Sequence, residues 1–358
     1  MEETMDEAMD QSKAEAFAGR MMALLNDASL GMLVSIGHQT RLFDVMAEMP
    51  AATSERIAEV AGLQERYVRE WLGAMVVGRI VLYDPATKTY VLPREHAAFL
   101  TRPAGSNNLA FFTQYIRLLS AVEGDVVRAF REGGGVGYEK YPDFQRLQAE
   151  ESAALYDAAL VEAILPLADG VVEGLRSGID VIDIGTGQGH AITVMARAFP
   201  NSRFLGVDFS AEGIEAARAE AVGWKLSNAR FAVADITAGL PGEFDIVTAF
   251  DVVHDLAKPQ VVLANIARAL RQEGVFLMMD MAASSRLEEN LDHPIGPLLY
   301  GASVMHCMMV SLAQGGEGLG TMWGEQMAQD YLNKAGFSNV QVHHLEGDPM
   351  HAFYVARL

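Results

Sequence analysis

The stretch Val181-Ile182-Asp183-Ile184-Gly185-Thr186-Gly187-Gln188-Gly189-His190 constrains this chain more than any other part of it. A short apolar run meets three alternating glycines, and a helical period follows at 191–198, so the segment reads as a strand, a tight turn and a helix. Glycines in such a turn let the backbone come close to a ligand. Beyond residue 179 the same alternation continues. Strands are expected at 181–184, 204–207, 231–234, 246–250 and 275–279, with helices at 191–198, 214–221 and 261–270. Alternating β and α elements imply an α/β fold with a doubly wound, mostly parallel sheet. A helix ending at Gly336 and strands near Val340 and Tyr354 close it. The insertion at 282–322 falls at the carboxyl edge of that sheet, where a long insert caps a ligand site.

The N-terminal third has another character. Residues 1–20 are acidic (Glu2, Glu3, Asp6, Glu7, Asp10) and read as a polar tail that can turn helical as it approaches Phe17. Leu30, Leu33, Val34, Leu42, Val45 and Met46 recur at helical spacing, which predicts one amphipathic helix over 30–49, ended by Pro50. Thr53 and Ser54 offer N-caps, Gly62 a break, and 65–78 a further helix. Residues 80–83 and 90–92 flank the turn 84–88 as a hairpin. Three helices and a hairpin make a winged-helix module. The expected organisation is a tail at 1–20, a winged-helix domain at 21–105, a helical connector at 106–175 and a sheet domain at 176–358 carrying the 282–322 cap.

Charge and cysteine content narrow the classes. With 27 Lys plus Arg against 47 Asp plus Glu, the 358-residue chain carries a formal charge of −20, which repels a nucleic-acid backbone. Between Arg41 and Glu95 seven basic residues face eight acidic ones, so the winged helix offers no basic surplus to DNA. Cys307 is the single cysteine, which excludes an internal disulfide and fits a cytoplasmic setting. The N-terminus lacks the order of a secretory signal. Residues 297–313 carry no formal charge, but Gly301, Ser303, His306 and Ser311 interrupt them, which favours a buried helix over a pocket rather than a membrane span. No metal is expected: His306 and Cys307 are helix neighbours that should not face one another, and no third ligand stands at metal spacing. Trp224 and Phe231 read as core residues.

The glycine turn does not suit a dinucleotide. That fingerprint needs Gly or Ala three residues after Gly187, where His190 stands, and Asp183 would repel a pyrophosphate. An acid is compatible with a ligand bearing an ammonium or a sulfonium. Asp183-x-Gly185-x-Gly187-x-Gly189 resembles motif I of the class I S-adenosylmethionine-dependent methyltransferases, whose sheet is Rossmann-like. The resemblance implies S-adenosylmethionine as cofactor. It assigns Asp208, 25 residues past Asp183, to the ribose hydroxyls together with its neighbour Phe209. It places Asp235 and Ile236 against the adenine, and Phe250 and Asp251 after the fourth strand beside the cofactor.

Val253-His254-Asp255-Leu256 is similar to the His-Asp-Trp segment of plant-type small-molecule O-methyltransferases, whose histidine is the general base on the acceptor hydroxyl. The likeness makes His254 and Asp255 the catalytic candidates. Plant-type enzymes flank the base with two later acids: Asp280 stands at the first place, and Met322 occupies the second. Gly137-Tyr138-Glu139-Lys140-Tyr141-Pro142-Asp143-Phe144 looks like the aromatic segment that closes the pocket in those enzymes. Tyr138, His306 and Cys307 are expected to border the acceptor. The family also uses its winged helix to form homodimers. The implied activity is methyl transfer to oxygen or nitrogen of a small, apolar or aromatic acceptor; the alternative is a regulator that senses the cofactor and binds DNA.

Overall fold

The computed structural model describes residues 9–358, in two compact units, one running through Arg117 and the other spanning Leu118–Leu358. In the first unit α1 (Gln11–Gln39) starts behind Asp10, whose side chain accepts from the backbone N–H groups of Ser12 and Lys13. The helix expected on the approach to Phe17 thus begins at Gln11; positions 1–8 of the tail lie outside the described residues. The single helix expected over 30–49 is two helices. The chain turns at Arg41, in left-handed conformation with φ 61°, and α2 (Leu42–Ala47) follows. Both helices face one core, so the apolar period runs on through the break.

The rest of this unit follows its local signals. Thr53 caps α3 (Ser54–Ala61), Gly62 ends it with φ 66°, and α4 (Glu65–Val77) packs its Val68, Trp71, Leu72 and Met75 inward. The hairpin pairs β1 (Leu82–Asp84) with β2 (Thr89–Val91) in antiparallel register. It starts later than expected because the N–H groups of Ile80 and Val81 still bond to the carbonyl of Met75 and complete the preceding turn.

The second unit is a mixed α/β structure with a seven-stranded sheet of order β5-β4-β3-β6-β7-β9-β8. Strands β3 (Asp180–Ile184), β4 (Arg203–Asp208), β5 (Ala229–Val233), β6 (Phe244–Phe250) and β7 (Leu270–Met281) run parallel. β9 (His351–Arg357) joins antiparallel to both β7 and β8 (Asn339–His343). Alternate residues feed two cores, Val181, Ile246 and Leu277 on one face and Ile182, Val247 and Phe276 on the other. Phe231 joins the first core, whereas Trp224 is 51% exposed beneath Arg197, a correction to its core assignment. The expected helices appear at His190–Ala198, Ala211–Gly223 and Pro259–Ala269.

The order reverses at β3, which lies between β4 and β6 and so opens a crevice at the carboxyl ends of the central strands. The segment 282–322 supplies consecutive helical pieces, Gly296–Ala302, a π-turn at Ser303–Cys307 and Met308–Ala313. By length and composition this stretch could cross a membrane, but Leu299, Ser303, Cys307, Met309 and Val310 are buried in the unit. Ser311 Oγ donates to the carbonyl of Leu256, tying the helix to the segment after β6.

Candidate active site

The glycine turn leaves β3 at the switch point. Gly185 has φ 65°, and a Cβ there would fall 2.5 Å from Val252, so the turn can lie directly against the segment after β6 only as glycine. Gly187 donates its N–H to Asp208 Oδ2 at 2.8 Å, Ser210 N–H donates to Asp208 Oδ1 at 2.8 Å, and Gly189 precedes the helix His190–Ala198. Both oxygens of Asp208 are therefore fixed at the end of β4, and burial raises its pKa. Asp183 lies deeper and accepts from Thr248 Oγ1 at 2.6 Å; burial pushes its carboxyl up to about 6.

The other predicted cofactor residues spread along this edge. Phe209 is 63% exposed, with its ring 5.5 Å from that of Tyr138. Asp235 closes the turn Ile236–Ala238 by accepting from Thr237 Oγ1 at 2.7 Å and Thr237 N–H at 2.9 Å, and these bonds lower its pKa. Ile236 packs against the core beside it. Phe250 is buried against Tyr156. Asp251 adopts φ 57°, and its Oδ1 is buried without a hydrogen-bond partner while Oδ2 lies 3.5 Å from His351 Nε2.

His254 sits in a 3-10 turn, Val253–Asp255, directly after β6. Its Nδ1 is 2.8 Å from Asp280 Oδ1 on β7, and Asp280 Oδ1 also accepts from Trp323 Nε1 at 3.0 Å and Met281 N–H at 2.8 Å. On its other side Nε2 lies 3.4 Å from Asp255 Oδ1. Burial opposes a charge on His254, yet the Asp280 and Asp255 carboxylates outweigh it and hold the imidazole pKa well above its ordinary range. Asp280 and Asp255 thus flank the imidazole on its two sides, and Trp323, next to Met322, donates to Asp280.

Tyr138, Cys307 and His306 converge on this turn. Tyr138 donates its hydroxyl hydrogen to Asp255 Oδ2 at 3.1 Å. The ring of His306 stacks on Phe144 at 4.3 Å and meets Tyr141 edge-on at 4.5 Å; burial lowers its pKa to about 4, which keeps it neutral. Cys307 Sγ lies 3.6 Å from His306 Nδ1, contrary to the expectation that these neighbours do not face one another, and the π-turn that holds both residues is the reason. The ligand atoms of His254, Asp255 and Cys307 lie within 4.8 Å of one another, a grouping that spacing along the chain does not record. The glycine run at 133–137 positions Tyr138: Val136 N–H bonds to the carbonyl of Met309 at 3.1 Å, and a Cβ on Gly135 would fall 2.1 Å from that oxygen. A cavity of about 510 Å³ opens beside it, lined by Tyr138, Phe209, Val310 and Leu312.

The structure therefore gathers two groups of predicted residues, the glycine turn with Asp208, and His254 with Asp255, Tyr138 and Cys307. Trp323 and His351 carried no motif and were not singled out. Tyr141 and Phe144 lie in the quoted aromatic segment, whose clustering of rings was the available signal.

Residues 28–102 match the family described as Rv2258c-like winged HTH domain, and residues 175–317 match the family described as methyltransferase domain. The ribosomal protein L11 methyltransferase of Dictyoglomus turgidum is 30% identical over 118 residues, which is 33% of this chain and 36% of that protein. The chain thus spans little more than a third of that relative's length. Two solved structures share the fold along almost the whole chain. A candidate O-methyltransferase from Nostoc punctiforme superimposes with TM-score 0.73 at 18% identity, covering 95% of this chain and 98% of its own. Human N-acetylserotonin methyltransferase, in complex with S-adenosylmethionine, superimposes with TM-score 0.69 at 18% identity and covers 99% of each chain. The chain thus joins a winged helix-turn-helix domain at residues 28–102 to a methyltransferase domain at residues 175–317, and it shares its fold with a structure solved with S-adenosylmethionine.

Proposed function

We propose that this chain transfers the methyl group of S-adenosylmethionine to the oxygen or nitrogen of a small, apolar or aromatic acceptor, with His254 as general base. The residues present fit the cofactor. Asp251 Oδ1 is a buried acceptor with no partner, and Asp208 presents a carboxylate fixed by two backbone N–H groups beside a glycine turn. Asp208, flanked by Phe209, would hold the ribose hydroxyls, and Asp235 with Ile236 the adenine. Asp183, the backbone of Gly185, Gly187 and Gly189, Phe250 and Asp251 would line the remainder. When bound, the sulfonium supplies an electrophilic methyl carbon and a neutral leaving thioether.

The observation that carries the catalytic reading is the buried His254–Asp280 pair, locked by Trp323. Asp280 holds the proton on Nδ1, which leaves Nε2 as the nitrogen that accepts a proton from the acceptor. Only the fraction of His254 that has shed its own second proton can do so, and that fraction grows with pH. Tyr138, Phe209 and the helix at 308–313 give the acceptor an apolar wall. A screen of hydroxy-aromatics and amines with radiolabelled cofactor tests the reading: label should pass to a small molecule, and none passing to any acceptor class while the cofactor binds would reject it.

A DNA-binding role receives less support. On α4, Arg66 pairs with Glu70 at 2.5 Å and Arg69 with Glu65 at 3.4 Å, so its arginines are already matched with carboxylates. The exposed apolar residues of α1, including Met21, Leu25 and Met32, instead support self-association through the N-terminal unit into a homodimer. Light scattering on the full chain tests this; a monomer at micromolar concentration would exclude it.

A further inference from the structure

His254, Asp255 and Cys307 make a group that the proposed methyl transfer does not require as a group. Among the described residues it is the one place where three His, Cys, Asp or Glu side chains bring one ligand atom each within 4.8 Å of one another. Two of the three are buried, so bulk water does not satisfy them, and Asp255 Oδ1 has no hydrogen-bond partner. We propose that these three side chains form a binding site for a soft divalent cation of the zinc class.

Geometry and donor chemistry support it. Ligands about 2.0–2.3 Å from a tetrahedral centre stand about 3.3–3.8 Å from each other. His254 Nε2 and Asp255 Oδ1, at 3.4 Å, already have that separation, and the remaining contraction falls on the side chain of Cys307 in its π-turn. Imidazole, thiolate and carboxylate are a zinc-type donor set, and three protein ligands leave the fourth position for water or an acceptor oxygen. The second layer is in place as well. Asp280 binds Nδ1 of His254 and is itself held by Trp323 and the Met281 N–H, which orients the ring and turns Nε2 toward Asp255. A thiolate and a carboxylate neutralise a divalent ion. A cation there would occupy the nitrogen that takes the acceptor's proton, so zinc would inhibit methyl transfer. That consequence rests on the role proposed for His254; the site itself does not.

The test is a titration of the tag-free full chain with Co²⁺. Because Cys307 is the only cysteine, thiolate-to-cobalt charge-transfer absorption can arise from no other residue. The expected result is one equivalent bound with that absorption, its loss on adding Zn²⁺ and in His254→Gln, and affinity about 10–100-fold weaker in Asp280→Asn. Should His254→Gln fail to fold, Asp255→Asn should weaken the complex instead. No charge-transfer absorption in the wild-type chain, or absorption unchanged in His254→Gln, would overturn the proposal. Failure of methyl transfer with every acceptor would leave the cobalt spectrum intact, so the two ideas fail separately.

Discussion

His254 Nδ1 and Asp280 Oδ1 lie 2.8 Å apart, although 26 residues separate them in the chain. One follows β6 and the other ends β7, and the parallel pairing of those strands brings both to the same edge of the sheet. Asp280 is fully buried, so its charge acts on His254 with little screening.

Replacing His254 by Gln should lower turnover by about 10²–10⁴-fold if the imidazole takes the acceptor's proton. Cofactor affinity should stay near that of the wild type, because Asp208 and the glycine turn are untouched. Steady-state kinetics and calorimetry read the two effects; wild-type turnover would remove the histidine from the chemistry.

The pH profile should report the pair. His254 is active as a base only when neutral and its pKa is raised, so activity should climb as pH rises above the ordinary histidine range. Asp280→Asn removes one of the charges that raise it, and the rising limb should move to lower pH even as the maximum rate falls. A limb that does not move would show that Asp280 leaves the titration of His254 unchanged.

Asp208→Ala should weaken cofactor binding by about 1.5–3 kcal/mol, the value of hydrogen bonds to a charged group. The variant also frees the N–H groups of Gly187 and Ser210, so Asp208→Asn serves as the milder comparison. Unchanged affinity by calorimetry would move the ribose site elsewhere.

Gly135→Ala should displace the segment that carries Tyr138, since the new Cβ would meet the Met309 carbonyl at 2.1 Å. A cost of about 1–3 kcal/mol is expected from overpacking, with loss of acceptor turnover and retention of cofactor affinity. Thermal unfolding together with calorimetry distinguishes this from general misfolding.

Stability should depend on pH through His351. Burial disfavours its charge, but Asp251 and Asp348 outweigh burial and raise its pKa to about 10. A raised pKa stabilises the folded state fully below the unfolded value near 6.5, and the contribution fades as pH climbs toward about 10. The melting temperature should fall over that window, and His351→Asn should flatten the decline; an equal slope in both proteins would refute the linkage.

Much of the fold was legible because its signals are local. The β3 turn carries its glycines in sequence, Thr53 and Gly62 bracket α3, and the five parallel strands were readable as short apolar runs. The break at Arg41 was not legible, since residues on either side face the same core and keep one period. Asp183 and Asp208 were legible as a spaced pair of strand-end acids. Trp323 and His351 were not: each acts on a carboxylate from another strand or turn, and no spacing along the chain records that meeting.

By itself the sequence determined the alternating sheet, the winged helix and the glycine turn, because hydrophobic period, capping and turn chemistry act between residues a few positions apart. The tertiary structure alone decided that Asp280 and Asp255 enclose His254, that the π-turn swings Cys307 toward them, and that Gly135 seats Tyr138 above Asp255. Those relationships depend on which strand lies beside which and how closely a helix approaches a loop, and packing across the whole unit sets both.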